Sequence, residues 1–384
     1  MKRSSERILT THVGSLARPT DLLDLMKAKV DGESYDEEAC ARRIPSAVAE
    51  IVEKQVACGI DVVTDGEQSK LGFSSYVNER LAGYESRPGH IDKDEFSEEL
   101  AAFPEYYERY FAEAMHGGAV SKVDPVVCTG PISYKGADAL HQDIANLQAA
   151  VADVDTEDVF MPAVAPGGVG SNEYYATEEQ YMEAVGEAMR TEYKAITDAG
   201  FLVQIDDPWM TVVHGDGSLT MEQRLKKIEL SVEVLNHSLR DIPPEKVRLH
   251  TCYGINEGPR VHDADLRDIV GIMLKINAGA YSFEAANPRH EHEYRVWEDV
   301  KLPDGKLIIP GMVAHANNIV EHPELICERI VRFANIVGRE NIIAGSDCGF
   351  STQATYRPEV HPTVVWAKFQ AMAAGARLAT EQLW

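Results

Sequence analysis

The sequence predicts an α/β protein built as one (β/α)8 TIM barrel, a single catalytic barrel with a helical or loop insertion. Three observations predict it. Short apolar runs alternate along the chain with long amphipathic stretches, as when parallel strands are covered by outer helices. Those runs end in polar, reactive or small residues, and a barrel assembles its site from the C-terminal ends of its strands. No Gly-x-Gly-x-x-Gly follows an early run, which counts against a doubly wound open sheet. The 384 residues, 44% of them hydrophobic, suffice for a large core. Barrels commonly exceed the usual domain length as one unit, so residues 1–384 read as a single domain.

In chain order the candidate strands are THVGS (11–15), DVVTDGE (61–67), PVVCTGP (125–131), VFMPAVAP (159–166), LVQIDDP (202–208), VRLHTCYG (247–254), AYSFEAAN (280–287), LIIPGMVA (307–314) and NIIAGSDCG (341–349). A barrel needs one fewer, so one run is expected to be a side element. Between them, TEEQYMEAVGEAMRTEYKAITDAG (177–200) repeats Tyr181, Val185, Met189, Tyr193 and Ile196 at helical spacing, and Ala199-Gly200 ends the pattern. EEACARRIPSAVAEIVEKQVACG (37–59) reads as a helix in the same way. So does HPELICERIVRFANIVG (322–338), with Pro323 in its first turn, where a missing amide hydrogen breaks no helical bond. The stretch 83–120 interrupts the alternation. It is acidic and aromatic, has no apolar run, and reads as inserted helices and loop, either a lid over the barrel mouth or a surface elaboration.

The chain carries 62 acidic against 37 basic residues, a formal charge of −25. Such a surface repels phosphate backbones and anionic lipid, so neither nucleic acid nor a membrane is an expected partner. No run approaches the roughly 18 apolar residues of a membrane span. The opening MKRSSERILTTHVGS has no apolar stretch before a cleavage site, so a cytoplasmic location is expected. The six cysteines, Cys40, Cys58, Cys128, Cys252, Cys327 and Cys348, are scattered and expected to be reduced. The oligomeric state, including a homo-oligomer, stays open.

The chemistry gathers at the strand ends. In RLHTCYG (248–254), His250 and Cys252 lie two residues apart and so face one side of a strand. Glu284 and Cys348 end later runs. One imidazole, two thiols and a carboxylate form a tetrahedral zinc donor set, with bonds of roughly 2.0–2.3 Å. The alternative is a core histidine with two small buried cysteines. RHEHE (289–293) offers His290, His292 and Glu293, but it follows Pro288 at the opening of a helical stretch. A solvated, capped helix start is expected there, with a supporting or substrate contact as the alternative. Glu67 and Asp206 end different strands and would converge on the mouth, to serve acid–base chemistry, to clamp an ammonium or merely to cap strands. Arg18, in GSLARP, could hold an anionic group of a substrate.

Taken together, GS near the N-terminus, DGE, IDDP, HTC, FE and SDCG resemble the catalytic barrel of cobalamin-independent methionine synthase. They also resemble its shorter single-barrel relatives, including epoxyalkane:coenzyme M transferase. The likeness spans nearly the whole chain and is strongest from HTCYG to SDCGF. It implies zinc held by His250, Cys252, Glu284 and Cys348, with the amino-acid part of homocysteine held at Ser15, Glu67 and Asp206. His315, in MVAHANN, matches a histidine near the reacting groups. The implied activity is a zinc-dependent thiol S-methyltransferase, in which the acceptor thiolate attacks an alkyl carbon and His315 or a carboxylate such as Asp206 protonates the leaving group. Two-barrel members shape their folate site with a second barrel for which this chain has no room. The donor therefore stays open between methyltetrahydrofolate, methylcobalamin on a partner protein and another small molecule. The alternatives are a zinc-dependent epoxyalkane:coenzyme M-type alkyltransferase, a non-catalytic thiol- or corrinoid-binding barrel, and a decarboxylase of the porphyrin-decarboxylase fold. The last two predict no zinc.

Overall fold

A computed structural model describes residues 1–384 except 89–95, 116, 122–123, 215 and 255–256. Its strands are β1 (Leu9–Thr10), β2 (Val62–Val63), β3 (Leu81–Ser86), β4 (Val126–Tyr134), β5 (Asp158–Val164), β6 (Ser171–Asn172), β7 (Leu202–Asp206), β8 (Val247–His250), β9 (Ala280–Phe283), β10 (Leu307–Val313) and β11 (Ile343–Ser346). Eight of them form one sheet in the order β1-β11-β10-β9-β8-β7-β5-β2. Every pairing in it is parallel. A further parallel bridge, Thr11 to Val62, joins the two ends and closes the ring as a (β/α)8 barrel.

The outer helices follow their sequence signals. Glu37–Ala57 starts at Asp36, whose carboxylate accepts the Ala39 amide, and turns Val48, Ile51 and Val52 inward. Glu178–Asp198 is capped by Thr177 and buries the predicted Tyr181, Val185, Met189, Tyr193 and Ile196. Pro323–Val337 opens with Pro323 after the cap His322. Among the described residues no helix is long and apolar enough to cross a membrane.

Two expectations need correcting and one is met. The first strand lies at Leu9–Thr10, just before the run 11–15, which becomes the strand-end segment. The expected side element is the run 125–131, which is β4 and belongs to a side sheet with β3 and β6. The stretch 83–120 is not wholly helix and loop, because it begins inside β3, which pairs antiparallel with β4. That strand is half exposed and bulged at Gly83, so no alternation marked it. Beyond β3, residues 89–95 and 116 of the expected insertion lie outside the described residues. The helices Ser97–Ala102 and Pro104–Arg109 rest on loops that follow barrel strands. The Tyr106 hydroxyl donates to the Glu257 carbonyl at 3.0 Å, and the Tyr110 hydroxyl to Glu359 at 2.9 Å. The Phe96 ring packs on Gly254, where an added Cβ would stand 2.8 Å from its Cζ.

Strand register sets the level of the site. Asp206 is paired with His250, and His250 with Ser282. Cys252 and Glu284 each follow two residues beyond that level, at the same end of the barrel.

Candidate active site

His250, Cys252 and Cys348 are all buried, and one ligand atom from each lies within 4.8 Å of the others. His250 Nδ1 faces the Ser282 hydroxyl at 3.3 Å, and Nε2 makes no hydrogen bond among the described residues. The Cys348 thiol hydrogen-bonds to Cys252 and pulls the Cys252 pKa well below the usual thiol value, with His250 adding to the effect against burial. The same Cys252 contact, with burial, drives the Cys348 pKa well up. Burial works against a charged His250, but Cys252, Asp206 and Glu284 outweigh it and raise its pKa. Two buried thiols this close repel each other as thiolates unless a cation holds both. An open imidazole nitrogen beside two such sulfurs is a donor set suited to zinc.

Glu284 does not join that group. Its Oε1 accepts the Tyr253 amide at 3.3 Å, and its Oε2 accepts Asn287 Nδ2 at 2.8 Å and lies 2.9 Å from Arg260 Nη1. It falls instead in a second buried group with His315 and Asp347. Asp347 Oδ1 accepts the amides of Ala285 and Ala286, each at 2.7 Å, and Oδ2 accepts Asn287 Nδ2 at 3.1 Å. Gly311 of β10 admits this carboxylate, since a Cβ there would stand 1.9 Å from Oδ1. Burial pushes the His315 pKa down to about 4 against the pull of Asp347.

Across the cavity stand Ser15, Glu67 and Asp206. A cavity of about 60 Å³ is lined by these three together with His250, Cys252, Cys348 and Phe73. Glu67 sits at φ 57° after Gly66 at φ 66°, and Asp65 accepts its amide at 2.9 Å. A non-glycine residue in that region is strained, and the strain aims the carboxylate inward. Glu67 Oε1 is 3.5 Å from Lys70 Nζ, and Oε2 has no hydrogen-bond partner among the described residues. Burial raises the Glu67 pKa, with Lys70 and Arg18 opposing. Burial also lifts Asp206 to about 7, with His250 opposing and Glu67 adding. Gln204 Nε2 holds Asp206 Oδ1 at 2.7 Å. Ser15 lies against Gly349, where a Cβ would stand 2.1 Å from the serine Oγ.

Two expected roles change. Arg18 is buried and spends Nη1 on the Ser351 carbonyl at 2.6 Å and Nη2 on those of Glu67 and Lys70 at 2.9 and 2.8 Å. It ties strand ends together and does not line the cavity. In RHEHE, His292 is exposed as a helix start should be, but His290 and Glu293 are buried. His290 bridges Asp263 at 3.0 Å and Glu293 at 2.8 Å, and stacks on Tyr253 with ring centres 4.0 Å apart. It supports the loop that carries Cys252. Sequence reasoning missed Lys70, Gln204, Asn287, Arg260 and Asp347 as parts of the site. Only Asp347 had a signal, its place beside Cys348 at a strand end. A larger cavity, about 530 Å³, lies between helices 20–30, 37–57 and 137–151 and contains none of the donors.

Fold and site together define a (β/α)8 barrel with a thiol-rich centre at the C-terminal ends of its strands, the class of barrel that builds its chemistry there. Residues 171–368 match the family described as the cobalamin-independent synthase, catalytic domain, and the chain belongs to that family. It is 24% identical to a methionine synthase of Sulfolobus acidocaldarius, over 88% of this chain and 85% of that one. It is 20% identical to a methionine synthase of Sulfurisphaera tokodaii, over 97% of this chain and 93% of that one. The fold matches the B12-independent methionine synthase from Shewanella sp. W3-18-1 solved with selenomethionine, with a TM-score of 0.73, 16% identity, and coverage of 98% of this chain and 99% of that one.

Proposed function

We propose that the protein is a zinc-dependent thiol S-methyltransferase of the methionine synthase type, acting on homocysteine or a similar amino-acid thiol. The observation that carries this reading is the buried His250–Cys252–Cys348 donor set opening onto a cavity shared with Glu67 and Asp206. These three residues, with Glu284 as fourth donor, would hold zinc, which would lower the pKa of an acceptor thiol and leave its thiolate nucleophilic.

The chain's own residues do the rest. Glu67 Oε2 and Asp206 bind the acceptor's ammonium by charge-assisted hydrogen bonds, with Ser15 beside them. Phe73 walls the cavity and limits water around the reacting sulfur. The leaving group's proton comes from His315 or Asp206. Asp206, near 7, carries a proton part of the time at neutral pH. His315, near 4, stays neutral until negative charge develops beside it. The methyl donor is methyltetrahydrofolate, methylcobalamin or another small molecule.

A zinc-dependent alkyltransferase of the epoxyalkane:coenzyme M type would use the same donors, but the Glu67–Asp206 pair favours an ammonium-bearing thiol over a sulfonate. The test is the zinc-loaded protein with homocysteine or 2-mercaptoethanesulfonate, against methyltetrahydrofolate, methylcobalamin and a short epoxide, with thioethers followed by mass spectrometry. Methionine from homocysteine is expected. A thioether from the sulfonate alone would move the protein to the second reading. Failure to take up zinc, with no thioether formed, would favour a non-catalytic thiol- or corrinoid-binding barrel.

A further inference from the structure

Arg260 stands where the insertion meets the donor set. It is buried and has φ 56°. A left-handed backbone at a non-glycine residue persists only where its surroundings impose it. Here the imposing group is Glu99 of the insertion, itself only 4% exposed. Glu99 Oε1 accepts the Arg260 amide at 2.6 Å and the Tyr107 hydroxyl at 3.0 Å, while Oε2 accepts the His262 amide at 3.1 Å. The Arg260 side chain then runs back into the site. Its Nε donates to Asp263 Oδ2 at 2.7 Å, its Nη1 pairs with Glu284 Oε2 at 2.9 Å, and its guanidinium lies 5.2 Å from the Tyr253 ring centre.

The argument rests on the zinc site proposed above. Three donors converge within 4.8 Å, and the carboxylate of the fourth is absent from that group. The cationic group in contact with that carboxylate is Arg260. We propose that Arg260 is a positioning residue whose ion pair holds the Glu284 carboxylate back from His250, Cys252 and Cys348, and that Glu99 fixes Arg260 for this task. The hold of Glu284 on the metal then depends on how the insertion is seated. The Tyr253 and Asn287 contacts orient the carboxylate but leave its charge uncompensated. Without the guanidinium, a buried carboxylate seeks another cation.

The test uses the full chain as wild type, Arg260→Gln, Arg260→Lys and Glu99→Gln. Zinc affinity is measured by competition with a chromophoric chelator, and zinc-edge X-ray absorption counts oxygen or nitrogen donors against sulfur. Arg260→Gln should bind zinc about tenfold more tightly, the lower end of what partners of metal ligands typically control, with a fuller oxygen contribution from Glu284. Arg260→Lys keeps the cation and should return toward wild type. Glu99→Gln should shift affinity in the same direction by less. Unchanged or weaker affinity in a folded Arg260→Gln overturns the proposal. Should that variant not fold, unchanged affinity in Glu99→Gln overturns it instead. If the wild type takes up no zinc at all, the zinc site itself fails and this inference falls with it.

Discussion

Two groups of three titratable side chains lie side by side at the barrel mouth, and they are finished differently. In the first, His250, Cys252 and Cys348 converge, and the imidazole Nε2 has no hydrogen-bond partner among the described residues. In the second, Asp347 accepts two backbone amides and an asparagine, and Glu284 accepts an amide and Asn287 beside an arginine. Both groups hold residue types that bind metals, so composition does not separate them. Hydrogen bonding does. A carboxylate whose lone pairs are already engaged must be released before it can bind a metal, while sulfurs and a nitrogen left facing one point await a ligand.

The sharpest way to break that contrast is to remove a donor from the open group. Cys348→Ser should abolish both zinc retention and turnover, read as metal per chain after dialysis and as methionine formed. Glu67→Gln leaves both groups intact and removes a charge across the cavity. It should raise the KM for homocysteine by about tenfold to a hundredfold, the size of one charge-assisted hydrogen bond, with zinc content unchanged.

The remaining effects fall on stability. His290, between Asp263 and Glu293, has its pKa raised to about 9 by those carboxylates against burial. A raised histidine stabilises the fold fully below its unfolded pKa, near 6.5, and the contribution fades as pH climbs through 9. Wild type should therefore lose roughly 3 kcal/mol between these limits, and His290→Gln should lack that slope in denaturant titrations. Asp347→Asn keeps the shape but removes the charge that the Ala285 and Ala286 amides face. It should cost about 1–2 kcal/mol while leaving zinc bound. Loss of zinc in that variant would mean the second group is itself a donor set.

Much of this was legible in the sequence because strand geometry is simple. A two-residue period places His250 and Cys252 on one face, and barrel closure brings the end of β11 near the end of β8. The open donor group could be read for that reason. The filled group could not, because much of what fills it is backbone. The amides of Ala285 and Ala286 carry no signature, and Arg260 reaches Glu284 from a loop with no periodicity. Arg18 was placed near the mouth, but no pattern says whether a guanidinium turns to substrate or to the carbonyls of Glu67, Lys70 and Ser351. His290 follows Pro288 at a helix start and is expected in solvent for that reason, yet it is buried against a partner, Asp263, that lies 27 residues away. β3 escaped notice because an edge strand with a glycine bulge shows no clean alternation.

The measurement that bears most directly on the open group is zinc-edge X-ray absorption of the purified protein, with and without homocysteine. The account predicts two sulfur donors from Cys252 and Cys348 in the free protein and three once homocysteine is added. Zinc that cannot be loaded, or zinc bound without sulfur, would contradict it.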